Sequence, residues 1–399
     1  KSFVSIEKWP EFDEKKIKPS DINSIEKLQK LPYLTKKMII GQEEQFVSQE
    51  LKKKGMLLDV HTGGTTGDPM HFFYEVERTD CMERAFMARG EEWYGLRMGE
   101  KQIELRGGIL NKDIVYDARN NWIILSGNHM DEKKIADFLR VMNKDRPHVL
   151  HGYPSLIWLL AKYVNAGNID IDWSFLKVII CSSERLFEFQ KKEIEKAFRC
   201  NVKSLYGHNE RVVFMMSCEK NDEYHIIPEY GITEIVDSDG NVLHEEGEMG
   251  EIVGTGFNNY AFPLIRYRTG DMATIGNKKC SCGREFELIR EIEGRCGDFV
   301  VTPSNRFISP TILEFAVDYA EGIEDIQIIQ QDINRLDVYV VPNTSFTDEK
   351  WEKVRKEMNI RLDNELDINL RLTEKIESLS NQKKRLVSSE ISKKIFSAV

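Results

Sequence analysis

Between Gln102 and Leu205 short apolar segments alternate with helical ones, and no other feature limits the fold as much. Gln102–Leu105, Trp122–Leu125, His148–His151, Val178–Cys181 and Val202–Leu205 read as strands. Glu132–Val141, Leu156–Val164 and Phe187–Phe198 read as helices. Strands joined by helical crossovers imply an α/β architecture with parallel pairing. Ahead of this block, residues 1–58 are polar and helix-leaning, with Leu28, Leu31, Pro32 and Leu34 forming a lead-in turn. Residues 75–98 read as an amphipathic helix, with Met82, Phe86 and Trp93 near helical spacing.

From about Glu223 the texture changes to closely spaced strands, His225–Pro228, Gly231–Val236 and Gly250–Thr255. Asp237-Ser238-Asp239-Gly240 and Glu245-Glu246-Gly247 supply turns, so this stretch reads as an antiparallel β region attached to the α/β core. Beyond Asp298 comes a pattern of strand, helix, two strands, helix, strand: Phe299–Val301, Pro310–Tyr319, Ile326–Gln330, Leu336–Val341, Asp348–Leu366 and Ile368–Leu372. Trp351, Val354, Met358 and Leu362 share one face of the second helix. At 399 residues the chain exceeds one ordinary domain. The expected division is a large domain at 1–298, with its β region at 223–297, and a small α+β lid at 299–399.

A net charge of −10 argues against a nucleic-acid protein, which carries a basic patch or stripe. Lys52-Lys53-Lys54 is a short solvated helix face beside Glu50. Seven cysteines at uneven spacing disfavour a disulfide framework and suit a reducing cytoplasm. No apolar run reaches the length that spans a bilayer, so no membrane insertion is expected. The start at Lys1 shows no signal-peptide pattern and no methionine, so residues before Lys1 are expected to be missing. The oligomeric state stays open, a dimer included.

Within this frame, His61-Thr62-Gly63-Gly64-Thr65-Thr66-Gly67-Asp68-Pro69 reads as a phosphate cradle. Glycines let a backbone approach a ligand closely, and successive N–H groups in such a loop form an anion-holding concavity. It lacks the Gly-Lys-Ser/Thr ending of the common P-loop, and His71–Tyr74 after it looks like a strand. The loop alone leaves a polar hairpin open as the other reading. Four later stretches accompany it: Tyr206-Gly207-His208-Asn209-Glu210, Arg266–Asp271 following Phe262–Ile265, Glu293–Asp298, and the basic Asn381–Arg385.

In this order the set resembles the adenylate-forming superfamily of acyl-CoA synthetases and adenylation domains. Within it, the short phenylacetate–CoA ligase-like and CapK-like branch is the nearest match, from about Leu31 to Val399. The resemblance implies ATP-dependent activation of a carboxylic acid to an acyl-adenylate, with Mg²⁺ and release of pyrophosphate. The acyl group then passes to coenzyme A by default, or to a sugar, an amine or a carrier protein. It implies that Thr62, Gly63, Gly64, Thr65, Thr66 and Gly67 hold the pyrophosphate, and that Glu210 helps hold Mg²⁺. Tyr206 and Gly207 would meet adenine, together with Ser183 and Glu184 of Cys181-Ser182-Ser183-Glu184. Asp271 would accept the ribose hydroxyls, with Arg295 supporting the ribose from the far side. Lys383 would bridge carboxylate and α-phosphate, and Asp298 would be the hinge of the lid.

Each assignment has a plainer alternative. Asp271 reads equally as a turn cap, Arg295 as a surface ion pair, Lys383 as part of a solvated basic run and Glu184 as a helix N-cap region. The chain also departs from the pattern at Asn209 (Thr or Ser in the family), Asp68 (often Lys) and Gln382 (usually Gly), so Lys384 stays open as the register alternative to Lys383. A nucleotide-binding sensor or partner with reduced turnover is the rival reading of the whole chain.

Cys218, His225, Cys280 and Cys282 supply three thiolates and one imidazole, the usual closed tetrahedral zinc set, with buried thiols as the alternative. The resemblance adds that some members of the branch carry a structural zinc there. Cys81, Cys181, Cys200 and Cys296 read as ordinary core or surface cysteines. The acyl pocket is expected between Gly152-Tyr153-Pro154, Ser182 and the Tyr-Gly motif. Trp93, Tyr153, His208, Val212 and Phe214 are its candidate walls, suited to an aryl or other flat apolar acid, although aromatics at helical spacing also make plain core.

Overall fold

The computed structural model describes residues 19–61, 70–106, 112–127, 130–167, 169–295, 299–304, 307–308, 313, 321–376 and 386–397. In chain order the first elements are β1 (Leu57–His61), β2 (His71–Glu75), α1 (Arg78–Glu91), β3 (Gln102–Arg106), β4 (Ile114–Asp117) and β5 (Trp122–Ser126). Next come α2 (Glu132–Asp145), β6 (Val149–Gly152), α3 (Pro154–Asn165), β7 (Val178–Ser182), α4 (Glu188–Phe198) and β8 (Val202–Gly207). Then follow β9 (Phe214–Ser217), β10 (Tyr224–Ile226), β11 (Gly231–Val236), β12 (Met249–Gly256), β13 (Tyr267–Ile275) and β14 (Leu288–Arg295). The last are β15 (Val300–Val301), β16 (Phe307–Ile308), β17 (Ile323–Asp332), β18 (Arg335–Pro342), α5 (Asp348–Arg361), β19 (Asp367–Leu372), β20 (Val387–Ser389) and α6 (Glu390–Ser397). No described helix is long and apolar enough to cross a membrane.

The chain divides into two compact units. One holds Lys1–Glu234, Ile252–Thr269 and Ile275–Glu291; the other holds Ile235–Glu251, Gly270–Thr274 and Ile292–Val399. In the first, β5, β3, β6, β7 and β8 lie side by side and parallel, as the alternation of strands and helices requires. β4 flanks this block antiparallel on one side, and β9, β10 and β14 follow antiparallel on the other. Ile103, Leu105, Leu150, Ile179 and Cys181 project to one face, where Ile135, Phe138, Leu139 and Met142 of α2 meet them at helical spacing. Asp131 caps that helix by accepting the Lys134 N–H.

β1 and β2 form an antiparallel hairpin whose Phe72 and Tyr74 point inward, so the glycine–threonine stretch is flanked by two strands. Of β1, the strand before the loop, only Leu57 and Leu58 fall within the stretch 1–58 read as helix-leaning.

In the second unit, β17 and β18 form a hairpin, flanked by β20 beside β17 and β19 beside β18, both parallel. Trp351, Val354, Met358 and Leu362 pack one helix face against Ile326, Ile328, Leu336, Val338 and Val340. The helix stops at Arg361 rather than Leu366, because Asp363 and Asn364 take φ of 50° and 58°, outside the helical region. Ile368–Leu372 does not close the pattern either, since β20 and α6 follow it. The expected helix Pro310–Tyr319 lies outside the described residues apart from Leu313.

Candidate active site

Strand β8 ends in Tyr206-Gly207, and the chain turns back through Arg211, at φ 53°, into antiparallel β9. That turn presents Glu210 with both carboxylate oxygens engaged. The Tyr267 hydroxyl donates to Oε1 at 3.0 Å, and His208 Nδ1 stands 3.1 Å from Oε2. The other ring nitrogen of His208, Nε2, is buried with no hydrogen-bond partner among the described residues. The Tyr206 ring lies 6.0 Å from the His208 ring, edge-on.

Asn209 fastens this turn to the stem of the glycine–threonine loop. Its side-chain amide donates to the His61 carbonyl at 3.4 Å, and its own carbonyl accepts the Tyr74 hydroxyl. His61 directly precedes Thr62. Arg211 lays its guanidinium over the Tyr74 ring at 4.1 Å and reaches Asp80 at 3.0 Å, and burial pushes the Tyr74 phenol well above its ordinary range. A positioned carboxylate is the kind of ligand Mg²⁺ takes from a protein, usually one or two beside substrate phosphates. Glu210 fits that role.

Tyr153, Ser183 and Glu184 sit on the same carboxyl edge, because β6, β7 and β8 end together in register. Tyr153 opens α3, Ser183 takes φ 68°, and the Glu184 carboxylate accepts the Ser155 N–H at 3.2 Å. Three expected pocket walls make packing contacts within the first unit. Trp93 packs 5.4 Å from the His225 ring, Phe214 joins Met216, Ile227 and Tyr230 in a core, and Val212 is buried against Gly254. Aromatic side chains at helical spacing fill the interior here, as such patterns usually do.

Arg266 has a structural role. Its guanidinium makes two 3.0 Å contacts to buried Glu234 and donates to the Gln29 carbonyl at 2.6 Å, seating the lead-in turn. Asp271 belongs to the second unit, buried on β13 just after Gly270, whose N–H donates to Glu251 at 2.9 Å. Thr62, Gly63, Gly64, Thr65, Thr66, Gly67, Cys296, Asp298, Lys383, Lys384 and the side chain of Arg295 lie outside the described residues.

The four zinc-type residues converge. Donor atoms of Cys218, His225, Cys280 and Cys282 all lie within 4.8 Å of one another. Cys218 and Cys280 sulfurs are 3.5 Å apart, and Cys282 Sγ is 3.3 Å from His225 Nε2. The Lys220 and Arg284 N–H groups donate to the Cys218 and Cys282 sulfurs at 3.3 and 3.4 Å, contacts that favour thiolates. Trp93 and Phe286 flank the imidazole, and Arg284 stacks on Trp93 at 4.2 Å while pairing with Glu219 at 2.7 Å. Three sulfurs and one nitrogen at tetrahedral-edge separations fit a structural zinc, whose chemistry there is cross-linking. Cys81 is exposed, and Cys181 and Cys200 are buried, all apart from this group.

Sequence reasoning missed how Tyr267, Tyr74 and Asn209 act. A tyrosine inside an arginine-rich strand and an asparagine beside the motif glutamate were the signals, but their partners are more than 50 residues away.

Residues 300–390 match the family described as the CapK C-terminal domain. The chain is 27% identical to Protein CapK of Staphylococcus aureus over 97% of its own length and 86% of that protein. It is 23% identical to a phenylacetate–coenzyme A ligase of Thermus thermophilus over 73% of its length and 66% of that enzyme. Its fold aligns with a crystal structure of 2-hydroxyisobutyryl-CoA ligase in the postadenylation state at a TM-score of 0.75, with 19% identity, covering 97% of this chain and 85% of the other. Taken with the geometry of the Tyr206–Glu210 turn, these likenesses make the chain similar in sequence to CapK and the phenylacetate–coenzyme A ligases and similar in fold to an adenylate-forming CoA ligase, with residues 300–390 matching the CapK C-terminal domain.

Proposed function

We propose that this protein activates a carboxylic acid with ATP to an acyl-adenylate, releasing pyrophosphate, and then transfers the acyl group to coenzyme A. The observation that carries the reading is the joining of the Glu210 turn to the stem of the glycine–threonine loop through Asn209 and Tyr74. A phosphate-binding loop and a cation-binding carboxylate must be held together for ATP chemistry, and here two hydrogen bonds hold their flanks.

In this reading, Thr62 to Gly67 cradle the leaving pyrophosphate, with Thr65 and its neighbours donating to it, and Glu210 orients its carboxylate through Tyr267 and His208. Mg²⁺ held there supplies charge neutralisation along the triphosphate. Tyr206, Gly207, Ser183 and Glu184 receive adenine, Asp271 and Arg295 the ribose. Lys383 brings its ammonium to the carboxylate and α-phosphate as they react, and residues 299–399 act as a lid that turns about Asp298. Tyr153 and His208 line the acyl pocket. Zinc at Cys218, His225, Cys280 and Cys282 is structural in this account.

A second reading keeps adenylation and changes the acceptor to an amine or hydroxyl of a sugar, or to a carrier-protein thiol. It is favoured by the match of residues 300–390 to the CapK C-terminal domain, since a lid helps choose the acceptor. Carboxylate-dependent ATP–pyrophosphate exchange over aryl, fatty, hydroxy and amino acids tests the first half-reaction. Lys383→Ala should abolish exchange while sparing ATP binding; loss in Lys384→Ala instead moves the register by one. No exchange with any acid would overturn the proposal in favour of a nucleotide-binding partner.

A further inference from the structure

Two histidine–carboxylate groups in the first unit are built in opposite ways. On the central sheet, His151 Nδ1 stands 3.0 Å from Glu104 Oε1, its Nε2 is 2.8 Å from Ser182 Oγ, and Arg106 donates to Glu104 Oε2 at 2.7 Å. Burial alone would raise the Glu104 carboxyl, but His151 and Arg106 hold it at about 2. That group is enclosed and its polar atoms are matched, so it braces the sheet. The other group lies on the β1–β2 hairpin and faces solvent.

His61 and His71 stand directly opposite each other across the hairpin, and Asp59, two residues before His61, projects to the same face. Phe72 and Tyr74 at the alternate positions are buried, so this polar face is the outer one. The two imidazoles stack with centroids 4.6 Å apart and planes 20° from parallel, and Phe73 backs the His71 ring at 5.0 Å. Nε2 of His71 touches Asp59 Oδ1, and Nε2 of His61 is 3.7 Å from the same oxygen. Among the described residues, only this trio and the cysteine–histidine set bring three or more metal-type donors within 4.8 Å of one another.

A histidine–aspartate hydrogen bond needs only His71 and Asp59. The second imidazole, with its Nε2 turned to the same carboxylate oxygen, is what a chelate requires and a hydrogen bond does not. Two imidazoles and a carboxylate suit zinc and its first-row neighbours, whereas Mg²⁺ takes oxygens. The side chains of His61 and Asp59 are 65% and 59% exposed, so water can complete the coordination, as it does in zinc sites with three protein ligands. Such a site exchanges its ion more readily than the enclosed sulfur set.

We infer that Asp59, His61 and His71 form a second, solvent-facing site for a divalent transition-metal ion of the zinc class, ligated by two imidazoles and one carboxylate. His61 ends β1 and His71 opens β2, so an ion held by both joins the strand ends on either side of residues 62–70. These two strands form a sheet of their own, and a two-stranded ribbon is marginal by itself, so a cross-link there holds the stem closed. No substrate enters this site's chemistry, so it stands apart from the carboxylate-activating reading.

The test is calorimetric titration of the full-length chain with Zn²⁺, after the cysteine set has been filled and unbound metal dialysed away. One further ion per chain should bind. His61→Gln, His71→Ala and Asp59→Asn should each weaken that event by about tenfold or more, whereas Cys282→Ser should leave it in place. Should His71→Ala fail to fold, His71→Gln reads the same loss. Co²⁺ in place of Zn²⁺ separates the two sites by spectrum, since thiolate ligands give sulfur-to-cobalt charge-transfer bands; the further ion should add ligand-field absorption without them. No further event, an event that any one of the three substitutions leaves intact, or a further ion that carries charge-transfer bands overturns the inference and leaves a hydrogen-bonded histidine–aspartate pair beside a stacked ring.

Discussion

Strand β9 is only four residues long, Phe214–Ser217, yet it separates two polar clusters of opposite design. Ahead of it, Glu210 is steadied by Tyr267 and His208, while His208 keeps a buried nitrogen without a partner among the described residues. Behind it, Cys218 joins His225, Cys280 and Cys282 in a set whose donors face one another and whose flanks are covered by Trp93, Phe286 and Arg284. The first cluster thus leaves a buried ring nitrogen unpaired among the described residues. The second is closed on itself. The difference teaches that residue type alone does not tell the proposed substrate site from the proposed structural metal site; what would separate them is whether coordination is completed inside the protein.

The sharpest way to break this comparison is to remove charge from the first cluster. Glu210→Gln preserves shape and should lower ATP–pyrophosphate exchange by about 10²–10³-fold, with a change in Tm of no more than about 2–4 °C. Equal losses of activity and stability would mean that the first cluster is structural too. The closed cluster should answer in the opposite sense. Cys282→Ser is expected to cost about 3 kcal/mol, a fall of roughly 6–12 °C in Tm, with exchange retained well below the transition. Elemental analysis of freshly purified protein should find one zinc per chain, and none would remove the basis of the contrast.

A smaller effect is expected at Trp93. If it covers the cluster rather than the acid, Trp93→Phe should weaken metal retention against a chelator by about tenfold and leave the ranking of acids untouched. A changed ranking would return Trp93 to the acyl pocket. The subtlest effect concerns acid. The Glu104 carboxyl titrates at about 2 in the folded chain against an ordinary 4.5, so its contribution is complete above the ordinary value and fades as pH falls toward the folded one. Urea titrations of wild type and Glu104→Gln should therefore differ most near neutrality and converge as pH drops through that window.

Much of this was legible in the sequence. The block from Gln102 to Leu205 announced its parallel strands because fully buried strands read as short apolar runs between amphipathic helices. The cysteine–histidine set was readable from residue type, although Cys280-Ser281-Cys282 gives no hint of which strand it meets. Other features were hidden for physical reasons. Strand β4 carries only Ile114–Asp117 at the sheet edge, too short for a period to show. The end of α5 depends on two left-handed residues, Asp363 and Asn364, that interrupt an otherwise continuing apolar stripe. Gln102, Glu104 and Arg106 alternate with Ile103 and Leu105, a pattern that suggests a half-exposed strand, yet Gln102 and Glu104 are buried. Only their partners on neighbouring strands, brought close by the fold, explain why.

The account stands on the formation of an acyl-adenylate, and transfer of oxygen from the acid tests that most directly. With a carboxylic acid labelled with ¹⁸O in its carboxylate, complete turnover with ATP and the acyl acceptor should deliver one labelled oxygen to AMP, with pyrophosphate unlabelled. Label in inorganic phosphate alongside ADP, or nucleotide cleavage that leaves AMP unlabelled, would contradict it.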